Sequence, residues 1–108
     1  MIAGFSVVPA GVGVELSKYV AESLDIVDKS GLNYQLSAMQ TTLEGDEEKV
    51  IETILKCHRN MRRHSSRVLT HISIDDREGA TGRLTGKVKD VEAHLGKKLG
   101  RSGEAKAE

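Results

Sequence analysis

One cysteine, one proline and no tryptophan occur in this chain, and its aromatic residues are only Phe5, Tyr19 and Tyr34. A lone Cys57 excludes an internal disulfide and any Cys-x-x-Cys site. Three scattered rings are a poor basis for stacking on nucleic-acid bases. Sixteen basic and sixteen acidic residues cancel, so no global field draws the chain to nucleic acid or to an anionic membrane. No apolar run approaches the ~20 residues of a membrane span. The opening Met1-Ile2-Ala3-Gly4-Phe5 lacks the basic region of a signal peptide. The expectation is a cytoplasmic protein with no nucleic-acid or membrane partner.

What is present is the material of a small α+β domain. With 108 residues, 38% hydrophobic and 30% charged, one domain over residues 1–99 is expected. Residues 100–108 carry no apolar anchor and are expected to be disordered. Residues 2–8 are apolar and β-branched, and the run stops at Pro9, as a strand does at a sheet's end. Gly11-Val12-Gly13 follows as a loop. From about Val14 the period becomes helical, with Leu16, Tyr19, Val20, Leu24, Ile26 and Val27 on one stripe and Gly31 as the closing cap. Residues 33–38 alternate as a half-buried strand. A tight turn near residues 37–40 leads into a polar strand, Met39-Gln40-Thr41-Thr42-Leu43-Glu44-Gly45.

Asp46 is a candidate N-cap, with Glu47 and Glu48 in the first turn where the helix dipole favours negative charge. Val50, Ile51, Ile54, Leu55, His58 and Met61 are expected on the buried face of that helix. Residues 67–75 return to period two, with Val68, Thr70, Ile72 and Ile74 on one face and Leu69, His71, Ser73 and Asp75 on the other. A third helix from about residues 83–85 carries Leu84, Val88, Val91, Leu95 and Leu99.

Strand, helix, strand, strand, helix, strand is the order of a ferredoxin-like βαββαβ sandwich, here with an additional C-terminal helix. Its strand order, 4-1-3-2, makes the first and third strands central antiparallel neighbours and sets Ser6 and Val8 beside Thr42 and Glu44. Covering one sheet face leaves the other bare, so self-association is expected.

The residues point away from several chemistries. Cys57, alone inside a helix, reads as a small buried apolar residue rather than a soft-metal ligand. His58, His64, His71 and His94 include no pair at the i, i+4 spacing of a helical zinc site. Arg59, Arg62, Arg63, His64 and Arg67 read as a solvated helix end that complements the dipole, with phosphate or sulfate binding as the alternative. Ser6, Ser17 and Ser23 have no histidine and acid partners nearby in sequence. No catalytic residue, metal or cofactor is expected, and the chain is not expected to be an enzyme. Glu44 stands out, because a carboxylate on a central strand is costly to bury without a donor or cation. Either it points to solvent or meets an arginine across an interface, or it receives a donor or cation from a ligand, with Ser6, Gln40, Thr41 and Thr42 nearby.

Ser6-Val7-Val8-Pro9 and its glycine, Tyr19-Val20-Ala21, Gly31-Leu32-Asn33-Tyr34, the segment 39–45, Lys56-Cys57-His58, Arg67-Val68 and Ile74-Asp75-Asp76-Arg77 carry a resemblance. In that order, over residues 2–95, the chain resembles the small thiamine-binding proteins, formerly a conserved family of unknown function. The resemblance implies a ferredoxin-like protomer, dimers and commonly homotetramers built through sheet surfaces, and no known catalysis. It also implies thiamine, or its hydroxymethylpyrimidine part, as the ligand. An aminopyrimidine presents ring acceptors and an exocyclic amine donor, which suit hydroxyls and a carboxylate or amide. A thiazolium cation suits Glu44 or Asp75, while Met39, Val8 and Pro9 supply apolar contact to flat rings. The candidate site is Ser6, Pro9, Met39, Thr41, Thr42 and Glu44, near a subunit boundary. The competing class is a homo-oligomeric regulatory or interaction module whose polar strand is an intersubunit surface.

Overall fold

A computed structural model describes residues 1–11 and 16–97, with the backbone alone for residues 87 and 88. Val12, Gly13 and Val14, the side chain of Val88, Leu99 and the tail 100–108, all given roles above, lie outside the described residues. The elements run β1 (Ile2–Pro9), α1 (Ser17–Lys29), β2 (Asn33–Leu36), β3 (Thr41–Glu44), α2 (Glu47–Arg62), β4 (Val68–Asp75) and α3 (Arg83–Leu95). The four strands form one sheet in the order β2-β3-β1-β4, with every neighbouring pair antiparallel. This is the ferredoxin-like βαββαβ arrangement with a helix added at its C-terminal side.

Local chemistry sets the element ends. Asp46, extended at ψ 137, accepts the N–H of Lys49 at 3.3 Å and starts α2, and Glu47 and Glu48 lie in its positive first turn. Gly31, at φ +77, takes the left-handed position after Ser30 closes α1. β2 ends at Leu36, two residues before the expected Ala38, and Ser37 closes it. Its N–H (3.0 Å) and hydroxyl (2.9 Å) both donate to the Gln40 carbonyl, which turns the chain into β3.

The core is sequestered between one sheet face and two helices. Ala3 and Phe5 of β1, Leu43 of β3, Val27 of α1 and Val50, Ile54 and Cys57 of α2 form one buried cluster. Each fully buried aliphatic side chain of this kind stabilises the fold by about 2 kcal/mol relative to exposure. On α2 the buried stripe is Val50, Thr53, Ile54, Cys57 and Met61. It is turned from the expected face, so Leu55 is exposed, and Ile51 and His58 are half-buried. The i, i+4, i+7, i+11 spacing of residues 50, 54, 57 and 61 already closes the stripe that the sheet covers, leaving Ile51 and Leu55 on its flank. His58 is tied to β4 instead, with Nδ1 2.7 Å from Thr70 Oγ1.

The expected neighbours of Ser6 and Val8 require correction. In the register, Ile2 pairs with Glu44, Gly4 with Thr42 and Phe5 with Thr41. Met39 and Gln40 belong to the hairpin turn, so β3 stops opposite Phe5. Ser6 and Val8 pair with His71 and Leu69 of β4 and with nothing of β3. A four-residue strand cannot reach the far half of an eight-residue neighbour.

The second sheet face is not wholly bare. α3 packs against β3 and β2, leaving Leu69 and Val8 exposed on the rest of that face.

Candidate ligand-binding site

The early end of β3 opens a gap in the sheet. In an antiparallel sheet, successive residues of a central strand bond alternately to their two neighbours. Met1 exchanges bonds with Gly45 on the β3 side (3.1 and 3.0 Å), and Ala10 donates to Arg67 on the β4 side (2.8 Å). Odd-numbered residues of β1 therefore direct their main-chain groups toward β3. At Val7 that direction points past the end of β3, so its N–H and C=O face a side with no strand opposite among the described residues.

A cavity of about 210 Å³ lies there, between the vacated edge of β1, the hairpin turn and the N-terminal half of α1. Phe5, Leu16, Val20, Leu24 and Met61 give it apolar walls. Its presence explains why the α1 stripe is less buried than its periodicity implies. Val27 is fully buried, whereas Val20, over the cavity, is 42% exposed.

Four of the six candidate residues, Ser6, Pro9, Met39 and Thr41, line this one cavity. Pro9 and Thr41 are buried, Ser6 is half-buried, and Met39, 85% exposed, stands in the hairpin turn at the rim. Gln40 also lines it and lies flat over Gly4, where a Cβ would come within 2.7 Å of its Oε1. Thr42 and Glu44 are elsewhere. Thr42 borders a shallow groove on the opposite sheet face with Gln35, Ser73 and Arg83. Glu44 borders a small depression with Asp75, Arg77 and Arg83. Its two carboxylate oxygens accept the backbone N–H groups of Arg83 (2.6 Å) and Leu84 (3.1 Å). Glu44 thus takes its donors from the start of α3, a partner that none of the readings from sequence included.

Residues outside the candidate set complete the cavity. Tyr19 lines it and is held from behind, its ring 4.9 Å from that of His64 and the Lys18 Nζ 4.9 Å from its centroid. His64 Nε2 lies 3.0 Å from Glu22, and Asn60 donates to the same carboxylate at 3.4 Å, joining α1 to the end of α2. The bond from His64, then that from Asn60, holds the Glu22 carboxyl below its ordinary range. Ser23, 7% exposed, lines the cavity, and its Oγ is buried without a hydrogen-bond partner among the described residues. Its signal in the sequence was a serine spaced four residues from both Tyr19 and Val27, on the helix's apolar side. The Val7 main-chain edge had no such signal, because it follows from where another strand ends.

Reactive chemistry has little to work with. Burial pushes the Cys57 thiol up to about 11, and its Sγ faces the Ser23 carbonyl at 3.6 Å, so it is a poor nucleophile. Among the described residues, no three His, Cys, Asp or Glu side chains converge as a metal site. Among them, too, no helix is long and apolar enough to cross a membrane.

Comparison with known proteins adds the family. A sequence profile described as Thiamine-binding protein matches residues 3–92. The chain belongs to the thiamine-binding protein family. Similar members include a UPF0045 protein of Staphylococcus xylosus, 38% identical over 95 residues, 82% of this chain and 89% of that one. A UPF0045 protein of Mycobacterium tuberculosis is 35% identical over 96 residues, 88% and 94% of the two chains. The crystal structure of a hypothetical protein from Methanocaldococcus jannaschii superposes with a TM-score of 0.78 at 29% identity, over 83% of this chain and 93% of that one. A Thermotoga maritima protein provisionally assigned to thiamine biosynthesis or salvage superposes at 0.73, over 83% and 96%. At 21% identity, that last likeness is one of fold.

Proposed function

We propose that this member of the thiamine-binding protein family binds thiamine, or its hydroxymethylpyrimidine part, in the cavity between α1 and β1, and does not transform it. The observation that carries the reading is the vacated β1 edge at Val7, which borders an apolar cavity beside the Thr41 and Ser23 side chains. A main-chain N–H and C=O side by side complement the ring nitrogen and amino group of an aminopyrimidine, acceptor to donor and donor to acceptor. At about 210 Å³ the space is below the ~300–1,000 Å³ typical of drug-sized ligands. It suits one substituted ring, with the thiazolium of intact thiamine left at the rim by Met39.

Isothermal calorimetry with thiamine and with hydroxymethylpyrimidine tests this. Saturable heat with either ligand is expected. No heat at millimolar ligand with folded protein overturns it, and conversion of thiamine phosphates to products overturns the non-catalytic part.

Self-association belongs to the same proposal. Val8 and Leu69 are 39% and 44% exposed on one sheet face, and Ile72 and Ile74 of the edge strand β4 are 42% and 51% exposed on the other. Adjacent apolar side chains on an unpaired edge favour a homodimer or homotetramer built through the sheet. If the chain proves oligomeric but binds neither ligand, the reading as an assembly or regulatory module takes its place. Native mass spectrometry reports subunit count and retained ligand together.

A further inference from the structure

A buried serine in a helix ordinarily bonds back to a carbonyl of the preceding turn. Thr53 does so in this chain, its Oγ1 donating to Lys49 O at 2.7 Å. Ser23, 7% exposed, borders the cavity, yet its Oγ is shielded from solvent and has no partner among the described residues. An unsatisfied buried hydroxyl destabilises a fold, and serine is a weaker helix former than alanine. Without a partner this hydroxyl is a net cost, on a wall whose other side chains include Phe5, Leu24 and Met61.

We infer that Ser23 is the specificity-determining residue of the cavity, selecting a nitrogen heteroaromatic ring over a hydrocarbon ring of the same shape. The inference rests on the proposed ligand site. Apolar walls hold any flat ring of suitable size by area alone and discriminate poorly between isosteres. The Ser23 Oγ is closed off from the cavity in the observed rotamer, and a turn about the Cα–Cβ bond is what brings it to a ring there, where it donates to a ring nitrogen or accepts from an exocyclic amine. A ring with carbon at those positions leaves Ser23 as unpaired in the complex as it is without ligand and gains nothing from it, so the pyrimidine is preferred by the bond that it alone forms.

Calorimetry and thermal unfolding of the wild type and Ser23→Ala test this, using hydroxymethylpyrimidine and its benzene analogue with both ring nitrogens replaced by carbon. Ser23→Ala is expected to bind the pyrimidine about tenfold more weakly, to bind the benzene analogue as the wild type does, and to unfold a few degrees higher without ligand. A role confined to packing does not produce that opposition of affinity and stability. Pyrimidine binding equal to wild type, or a lowered unfolding temperature, overturns the inference. Absence of pyrimidine binding by the wild type instead overturns the ligand site on which it rests, so the two failures are told apart by the protein in which they occur.

Discussion

Glu44, on a central strand, serves as the N-terminal cap of a helix 39 residues later, its Oε2 accepting the Arg83 N–H at 2.6 Å. The residue at the capping position itself, Gly82 at φ +64, has no side chain to offer. A carboxylate from the sheet therefore satisfies the first N–H groups of α3 and meets the positive end of its dipole.

Removing that carboxylate should loosen α3 specifically. Glu44→Ala is expected to cost about 1 kcal/mol and to speed amide exchange at Arg83 and Leu84, while amides of α2 keep their protection. Glu44→Gln, which keeps an acceptor and loses the charge, should fall between. Hydrogen exchange by NMR decides this. The cavity's lining lies toward the opposite end of β3 from Glu44, so affinity for the pyrimidine should stay within about twofold of wild type. A large loss of affinity would restore Glu44 to the ligand site.

The buried thiol makes a second prediction. With its pKa pushed up to about 11 by burial, Cys57 should react with a thiol reagent at mildly alkaline pH only after unfolding. Titrating the native and denatured protein with a chromogenic disulfide gives the comparison. Cys57→Ser, which buries a stronger hydrogen-bonding group among Val27, Val50 and Ile54, should destabilise by about 1–3 kcal/mol.

Acid should release the seam between α1 and α2. The His64 bond holds Glu22 below the ordinary 4.5. A carboxyl depressed on folding contributes stability above its unfolded value, and that contribution is lost as pH falls through the folded one. Wild type should therefore unfold at a higher temperature than Glu22→Gln near neutral pH, and the two should converge in acid below the ordinary carboxyl range. Parallel profiles through that window would show that the pair contributes nothing measurable, as many exposed pairs do.

Burial, not hydrophobicity, should rank the aliphatic positions. Leu43 is fully buried at the centre of the sheet, and Leu43→Ala should cost about 2–5 kcal/mol. Val20, 42% exposed over the cavity mouth, should lose no more than about 0.5 kcal/mol on the same change. Urea denaturation of both variants tests the contrast.

Much of this architecture was legible in residue order, because periodicity and end signals act over a few residues. Val68, Thr70, Ile72 and Ile74 alternate as a strand must, Asp46 opens α2, Gly31 follows α1, and Ser37 and Gln40 make the turn. The candidate site was legible in part. Ser6, Pro9, Met39 and Thr41 do meet around one cavity, whereas Thr42 and Glu44 do not. Treating residues 39–45 as one strand lengthened β3 by two residues at its start, and the expected pairing was also out of register, since Thr42 and Glu44 lie opposite Gly4 and Ile2. Neither the cap that Glu44 provides nor the isolation of the Ser23 hydroxyl has a local signature, since each depends on what a distant segment brings alongside.

The sequence by itself determined the element types, their order, the antiparallel sheet and the family, since each follows from short-range patterns or from residues in line. Only the tertiary structure decided where β3 ends against β1, and with it the unpaired edge at Val7, the cavity beneath α1 and the engagement of Glu44 with α3. The physical reason is range. Hydrophobic period and capping are settled within a turn or two of chain, but register and the satisfaction of buried polar groups are settled between segments that the chain brings together only on folding.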